Sequence, residues 1–341
     1  MAERKATQEL PAELGDPAFE VPPSFGPSPS RTLSLERQSL FEHVRQNALD
    51  ADGYRMLAEH FDVANDSDRS SLMLEIARAL EGDPDAAPRA PRLILAQADR
   101  AGLKHPQLRG EAVELMSLVG LALCRLYPAQ GREATASEEL HLDSGKGARA
   151  TADALLAGVR VLGIRSPDVF VSEDPGPPFS VAFAGKPRVL VGRGAVKKVL
   201  SDAELRFFAG RALFTLQPDL LSLRTLRREQ VYRGLVVVGQ VLQGRPLTVE
   251  GRIVRDTITP KSWERLKALY QKQAKTLDVA RIAEGARHSA NRAGLVVCGG
   301  VAPAIAALKA KRALPQEVME LVRFAASERY LELRSRRLGR G

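Results

Sequence analysis

The residues best suited to metal or redox chemistry are few and widely separated in this 341-residue chain. Its five histidines lie at positions 43, 60, 105, 141 and 288, and no two of them are four residues apart. Two histidines at that spacing would share a helix face and bind zinc. Cys124 and Cys298 each stand alone, without a partner motif. The pattern predicts no metal, no cofactor and no disulfide framework, which favours a reducing compartment.

Motifs for nucleotide binding and nucleophilic catalysis are incomplete. The run Gly192-Arg193-Gly194 follows an apolar stretch, as in a dinucleotide-binding turn, but Lys197 replaces the third glycine. The chain has neither a Gly-x-Ser-x-Gly elbow nor a Walker phosphate loop. No known catalytic signature therefore identifies an enzyme.

Charge is divided unevenly along the chain. Residues 145–341 contain 35 Lys and Arg against 17 Asp and Glu, whereas residues 1–144 contain 15 against 24. This asymmetry indicates binding to a polyanion or another anionic ligand, or attraction between the two parts of the chain. Aromatic residues make up only 5% of the chain and leave little surface for base stacking. Nucleic-acid binding by the basic part is therefore an alternative and not the favoured interpretation.

The first third of the chain predicts a tail followed by helical hairpins. Residues 1–36 are rich in Pro, Ser and Glu without a helical or strand period, which predicts a disordered tail. Across 37–128, apolar residues recur three and four positions apart between short polar breaks. The segment 52–82 resembles one tetratricopeptide unit, because two helical stretches flank an Asn-Asp-Ser turn.

The remaining residues predict a linker and a second domain. Residues 129–147 have the composition of a linker, and 148–341 form the predicted domain. Apolar alternation predicts strands at 169–173, 180–185 and 188–192, arranged as a hairpin or meander. Predicted helices are 148–162, 201–216, 226–243, 247–276, 278–298, 302–310 and 315–335. The expected class is mainly α (α+β), and Ser201 with Glu204 predicts a capping box.

The order of these elements resembles the gluzincin metallopeptidases that include the prenyl-protein and heat-shock membrane proteases. The strings Ser201-Asp-Ala-Glu-Leu and Ser289-Ala-Asn-Arg-Ala-Gly-Leu carry the resemblance over roughly residues 150–300. In that family the capped helix carries Gly-His-Glu-Leu-Gly-His, whose histidines bind zinc and whose glutamate is the general base. The corresponding stretch here reads Gly210-Arg-Ala-Leu-Phe-Thr.

At every position that the resemblance assigns to the zinc site, this chain carries a residue that differs from the zinc ligand or general base of the family. Arg211 and Thr215 replace the two histidines, and Ala212 replaces the general base. On the later helix Arg287 replaces the third ligand, three residues before the pair Ala290-Asn291. Arginine has no lone pair for a metal, and alanine accepts no proton. The resemblance therefore implies a pseudo-peptidase, and the predicted function is a non-catalytic interaction or scaffold protein with a protein partner.

The peptidase-like site, which lacks zinc ligands and a general base, leaves three interpretations open. Arg211 and Arg287, with Thr215, His288 and Asn291 beside them, are expected to keep the cleft positive for an anion or an acidic peptide end. The favoured interpretation is instead an internal ion pair of Arg211 with Glu204 or Glu284, because an unpaired buried arginine is costly. A hydrolase built on His288, Thr215 and Glu284 is the remaining alternative.

Hydropathy predicts a protein without a membrane span. The most apolar stretch, at 294–308, is about 15 residues long, whereas a spanning helix needs roughly 20. The polar start of the chain lacks the apolar core of a signal peptide. A soluble, cytoplasmic protein is expected.

Overall fold

The computed structural model describes residues 31–83, 91, 93–130, 138–143, 145–173, 178–197 and 200–337. Within these residues the chain forms sixteen α-helices and one three-stranded sheet, which confirms the mainly α (α+β) class. Most of the predicted tail lies outside the described residues. Its last six positions, 31–36, belong to the first helix and correct the predicted boundary.

Five helices and a short 3₁₀ turn build the N-terminal part. They are α1 (Arg31–Gln46), α2 (Ala51–Val63), α3 (Ser67–Glu81), α4 (Gln97–Gly102), the turn Pro106–Leu108 and α5 (Glu111–Leu126). Helices α2 and α3 pack together as the predicted hairpin over 52–82. Asp66 caps α3 by accepting a hydrogen bond from the Arg69 amide at 3.1 Å, and Gly82 ends it with a φ of 82°.

A mixed sheet replaces the predicted meander. Its strands are β1 (Asp168–Ser172), β2 (Phe179–Ala184) and β3 (Lys186–Gly192), in the order β1-β3-β2. Strands β2 and β3 form the expected antiparallel hairpin, whereas β1 pairs with β3 in parallel. Glu138, in the predicted linker, accepts a hydrogen bond from the Val171 amide at 2.8 Å and extends the free edge of β1.

Eleven helices complete the fold around this sheet. They are α6 (Ala148–Leu162), α7 (Arg193–Lys197), α8 (Asp202–Phe214), α9 (Pro218–Thr225), α10 (Arg228–Leu242), α11 (Val249–Thr257), α12 (Trp263–Gln273), α13 (Val279–Cys298), α14 (Val301–Ala310), α15 (Pro315–Ala325) and α16 (Glu328–Arg337). The predicted helix 247–276 is interrupted by a 3₁₀ turn at Pro260–Ser262. The predicted helix 315–335 breaks after Ala325, and α9 was not predicted.

Helix α8 lies at the centre of the core and crosses α13 closely. Its residues from Leu205 to Phe214 are all buried, and the predicted capping box of Ser201 and Glu204 is present. Two glycines permit the close approach. A Cβ on Gly210 would lie 2.8 Å from the Cβ of Val297, and a Cβ on Gly294 would lie 2.8 Å from the Cγ of Arg211. The crossing therefore sets the second half of α8 against the C-terminal turns of α13.

The acidic and basic parts of the chain attract each other through ion pairs. Arg334 in α16 pairs with Glu75 in α3 at 2.9 Å, and Arg336 donates two hydrogen bonds to Asp99, each at 3.1 Å. The hydrophobic core also continues from α2, α3 and α5 into α8 and α13. The division into domains at 37–128 and 148–341 stays a prediction. None of the helices in the described ranges has the length and apolar character to cross a bilayer.

Candidate functional site

The structure separates the predicted site residues onto two faces of α13. Arg287 and Asn291 are four residues apart and share the face that packs on Arg211 of α8. His288 lies on a different face and lines a groove. The structure therefore brings Arg211, Arg287 and Asn291 into one cluster and places His288 outside it.

Thr215 and Ala212 occupy positions in the packed core. Both residues are buried, at 2% and 5% exposure. The Thr215 hydroxyl donates a 2.8 Å hydrogen bond to the carbonyl of Ala212, one turn earlier in the chain. Among the described residues, no hydrogen bond joins Thr215 to His288 or Glu284. Within the described residues, the Thr215 hydroxyl is engaged by the backbone of its own helix.

Arg211 is buried without an anionic partner. The residue is 7% exposed, and its guanidinium lies 5.7 Å from the centre of the Phe207 ring. Within the described ranges it forms neither a side-chain hydrogen bond nor an ion pair, and its Nε is buried without an acceptor. The expected pair with Glu204 or Glu284 is not formed, because Glu204 caps α8 and Glu284 lies 3.7 Å from His288. Neither of these two example pairs is present among the described residues, and Glu317 is the acid whose charge acts on Arg211.

Burial and like charges act together on Arg211. Loss of solvent lowers the pKa of Arg211 to about 10, and the charges of Arg224 and Arg287 add to this effect. The carboxylate of Glu317 opposes it. The pKa of Lys311 falls to about 8, first through burial and then through the charge of Arg211. These groups therefore share one electrostatic environment.

We give the name cation cluster to Arg211, Arg224, Arg287 and Lys311, whose charges act on one another and on Glu317. The Glu317 carboxylate accepts a 3.2 Å hydrogen bond from the Asn291 amide nitrogen and lies 3.7 Å from the Lys311 ammonium. Although burial opposes it, the charge of Lys311 and this hydrogen bond lower the pKa of Glu317. Glu317 therefore stays ionised, and the cluster combines four cations with one carboxylate.

The donor set of the cluster does not suit a metal ion. Guanidinium and ammonium groups offer no lone pair, and one carboxylate with one amide cannot complete a zinc site. Over the described ranges, no three His, Cys, Asp or Glu side chains come together as a possible metal site. The cluster favours an anion, because its positive charge exceeds its negative charge.

The groove that contains His288 has a volume of about 1070 Å³. We call it the α13–α15 groove; α1, the loop around the Pro106–Leu108 turn, α13, α15 and α16 line it. Its charged and aromatic residues are Phe41, Arg45, His105, Arg109, Arg281, Glu284, His288, Arg292, Glu320, Arg323, Phe324, Glu328 and Arg329. The groove is therefore wide, and its wall is rich in arginine.

A histidine pair and a glutamate occupy one wall of the groove. The rings of His105 and His288 lie 5.0 Å apart, and the Nε2 of His105 is 3.3 Å from a carboxylate oxygen of Glu320. This contact and a 2.6 Å hydrogen bond from Arg323 lower the pKa of Glu320 to about 2, against the effect of burial. Burial, followed by the neighbouring His105, lowers the pKa of His288. His288 is therefore neutral at pH 7.

Three arginines of the groove have no anionic partner. Arg109, Arg281 and Arg292 form no side-chain hydrogen bond or ion pair within the described part of the chain. Arg292 lies 4.7 Å from the centre of the Phe324 ring, and burial lowers its pKa to about 10. The groove thus presents unpaired guanidiniums next to an aromatic surface.

The sequence contained only part of the signal for these sites. Arg281, Glu284, His288 and Arg292 form a polar stripe along one helix face, which their spacing of three and four residues could have indicated. Their partners on α1 and α15 are distant in the chain, and only the tertiary fold brings them together. Glu317, at the centre of the cation cluster, carried no sequence signal.

Comparison with known proteins provides no relative: the chain matches no family model, no curated protein and no solved structure at a significant level. The resemblance to gluzincin peptidases therefore stays a prediction. The structure itself contributes the close packing of α8 on α13, which sets Arg211 against Gly294, one turn beyond Asn291 on the same helix.

Proposed function

We propose that this protein is a non-catalytic interaction protein that holds an acidic segment of a protein partner in the α13–α15 groove. The observation that carries the proposal is the set of three groove arginines, Arg109, Arg281 and Arg292, that lack an anionic partner in the described structure. The pseudo-peptidase interpretation belongs to this proposal, because the residues at the peptidase-like positions supply neither ligand nor base.

The charge of the groove supports an acidic ligand. Its wall contains six arginines and three glutamates. Glu320 is engaged by Arg323 and lies beside His105, and Glu328 pairs with Arg69 at 2.7 Å. The unpaired guanidiniums are therefore free to form charge-assisted hydrogen bonds with carboxylates of a ligand.

The lining of the groove favours an acidic peptide. Its volume of about 1070 Å³ is at the upper end of the roughly 300–1,000 Å³ of small-ligand pockets, which leaves room for several side chains of a peptide. The half-buried ring of Phe41 supplies aromatic surface between the charged groups. An acidic segment with interspersed apolar side chains matches both features.

The ion pairs of α16 weigh against a nucleic-acid surface at the C-terminal end. Arg334 and Arg336 belong to the most basic stretch of the sequence, yet they pair with Glu75 and Asp99. Side chains held in such pairs are unavailable to phosphates without breaking internal contacts. Binding of a protein ligand in the groove breaks neither of these two ion pairs.

The test is a binding titration of the full chain with a fluorescent peptide of alternating glutamate and phenylalanine. We expect saturable binding by the wild type, at an ionic strength near the physiological value. Arg281→Gln and Arg109→Gln should each weaken binding about tenfold, since a charge-assisted hydrogen bond contributes about 1.5 kcal/mol or more. Both residues are exposed, so the fold should tolerate either change.

Arg233→Gln is the matched control, because Arg233 is an exposed arginine on α10, away from the groove lining. It should bind the peptide as the wild type does. Equal losses for Arg233→Gln and Arg281→Gln would contradict the proposal, because they indicate diffuse electrostatic attraction. Tight, steeply salt-dependent binding of single-stranded DNA or RNA without peptide binding would replace it with a polyanion-binding function.

A further inference from the structure

We infer that the cation cluster between α8 and α13 is a binding site for a phosphate dianion, distinct from the α13–α15 groove. The inference rests on a nine-tenths buried guanidinium that forms no ion pair with any described residue, in a cluster that contains three further cations and one carboxylate. It is independent of the proposed function, because the two sites share none of their arginines.

Arg211 forms the floor of the site. Its Cγ lies against the backbone of Gly294, where a Cβ would approach to 2.8 Å, and its guanidinium stacks near Phe207. These contacts fix the side chain, although none of them neutralises its charge. An isolated buried charge is unfavourable, whereas an arginine with an oxyanion forms two parallel charge-assisted hydrogen bonds.

The other cations connect this floor to the surface. Arg287 and Lys311 are half-buried, and Arg224 is exposed. They come from three separate elements: α13, the end of α14 and α9. A phosphate that approaches Arg211 from the surface would meet side chains that donate hydrogen bonds to its oxygens.

Glu317 and Asn291 set the charge and the shape of the cluster. Asn291 donates to Glu317 at 3.2 Å, and Lys311 lies 3.7 Å from the same oxygen. One carboxylate offsets one of the four cations, so a net charge of about three remains unneutralised. A phosphate dianion offsets most of this excess, whereas a carboxylate offsets only one charge.

The first test measures the melting temperature of the full chain in matched ionic strength, with chloride, acetate, inorganic phosphate or a simple phosphomonoester as the anion. Ligands that bind only the folded state raise the melting temperature. We expect phosphate to raise it and acetate to leave it at the chloride value. A larger rise with the phosphomonoester assigns the site to a phosphorylated molecule, and an equal rise assigns it to free phosphate. Equal melting temperatures in all four anions would overturn the inference.

Variants then locate the effect by isothermal titration with inorganic phosphate. Arg287→Gln and Arg224→Gln should each weaken phosphate binding about tenfold or more. Because both side chains reach the solvent, these variants keep the buried core intact. Arg211→Met, which retains an unbranched chain beside Phe207, should abolish binding.

Arg281→Gln separates this site from the groove. It should bind phosphate as the wild type does while it loses affinity for the acidic peptide. If Arg281→Gln weakens phosphate binding as much as Arg287→Gln does, the phosphate lies in the groove and the inference fails. Failure of peptide binding with intact phosphate binding would overturn only the proposed function.

Discussion

Replacing Arg211 with methionine should stabilise the phosphate-free protein, because it removes a buried charge that forms no ion pair with any described residue. Burial lowers the pKa of Arg211 to about 10, roughly two units below the ordinary value of a guanidinium. At about 1.4 kcal/mol per pKa unit, the charged form destabilises the folded state by about 3 kcal/mol at neutral pH. The penalty is present below pH 10 and fades as the pH rises toward the ordinary value.

Methionine retains part of what the arginine contributes. Its unbranched chain preserves the packing against Phe207 and Gly294. The stacking of the guanidinium on Phe207 is lost, which costs about 1 kcal/mol. The net expectation is an increase of about 2 kcal/mol in the free energy of unfolding.

The assay is urea unfolding followed by circular dichroism in phosphate-free buffer at neutral pH. Arg206→Met is the matched control, because Arg206 lies on the same helix and is 8% exposed, but its guanidinium donates to the Cys298 carbonyl at 3.3 Å. That control should lose about 1 kcal/mol. A similar loss in Arg211→Met would refute the reasoning, because it would show that Arg211 stabilises the phosphate-free fold.

Three further measurements test other parts of the structure. Glu320→Gln should remove about 2–3 kcal/mol of stability at pH 7, since the pKa of Glu320 is lowered to about 2. The wild type should lose that advantage as the pH falls from about 4.5 to 2, as urea titrations at a series of pH values would show; a pH-independent difference would contradict the ion-pair explanation. Gly120→Ala should destabilise by about 1–3 kcal/mol or more, because the added Cβ would lie 2.2 Å from the Pro218 carbonyl oxygen; an unchanged melting temperature would show that α5 and α9 pack less closely. Zinc and a chelator should leave the melting temperature of the wild type unchanged, and zinc bound at one ion per chain would reverse the assignment of Arg211 and Arg287 to empty ligand positions.

Features encoded by neighbouring residues were predictable from the sequence. The capping box of Ser201 and Glu204 spans three residues, and the hairpin over 52–82 follows from apolar periodicity and one polar turn. The three strands also lie where alternation placed them, within one or two residues. These signals are local, so they need no knowledge of the tertiary fold.

Features set by distant packing were not predictable. The parallel pairing of β1 with β3 depends on how the chain returns to the sheet, which alternation does not encode. Periodicity also continued across Ala326, where the structure ends α15 and starts α16. The expected partners of Arg211 were Glu204 and Glu284, whereas the charges that act on it in the structure come from α9, α13, α14 and Glu317 of α15.

The most direct test of the proposed function is hydrogen exchange of the full chain with and without the glutamate–phenylalanine peptide. Amides in a bound groove exchange more slowly, because ligand binding stabilises the local structure. We predict slower exchange in the first half of α13, in α15 and around the Pro106–Leu108 turn, with unchanged exchange in α10. Protection confined to α10–α12, or binding without protection of α13 and α15, would contradict the groove as the site of interaction.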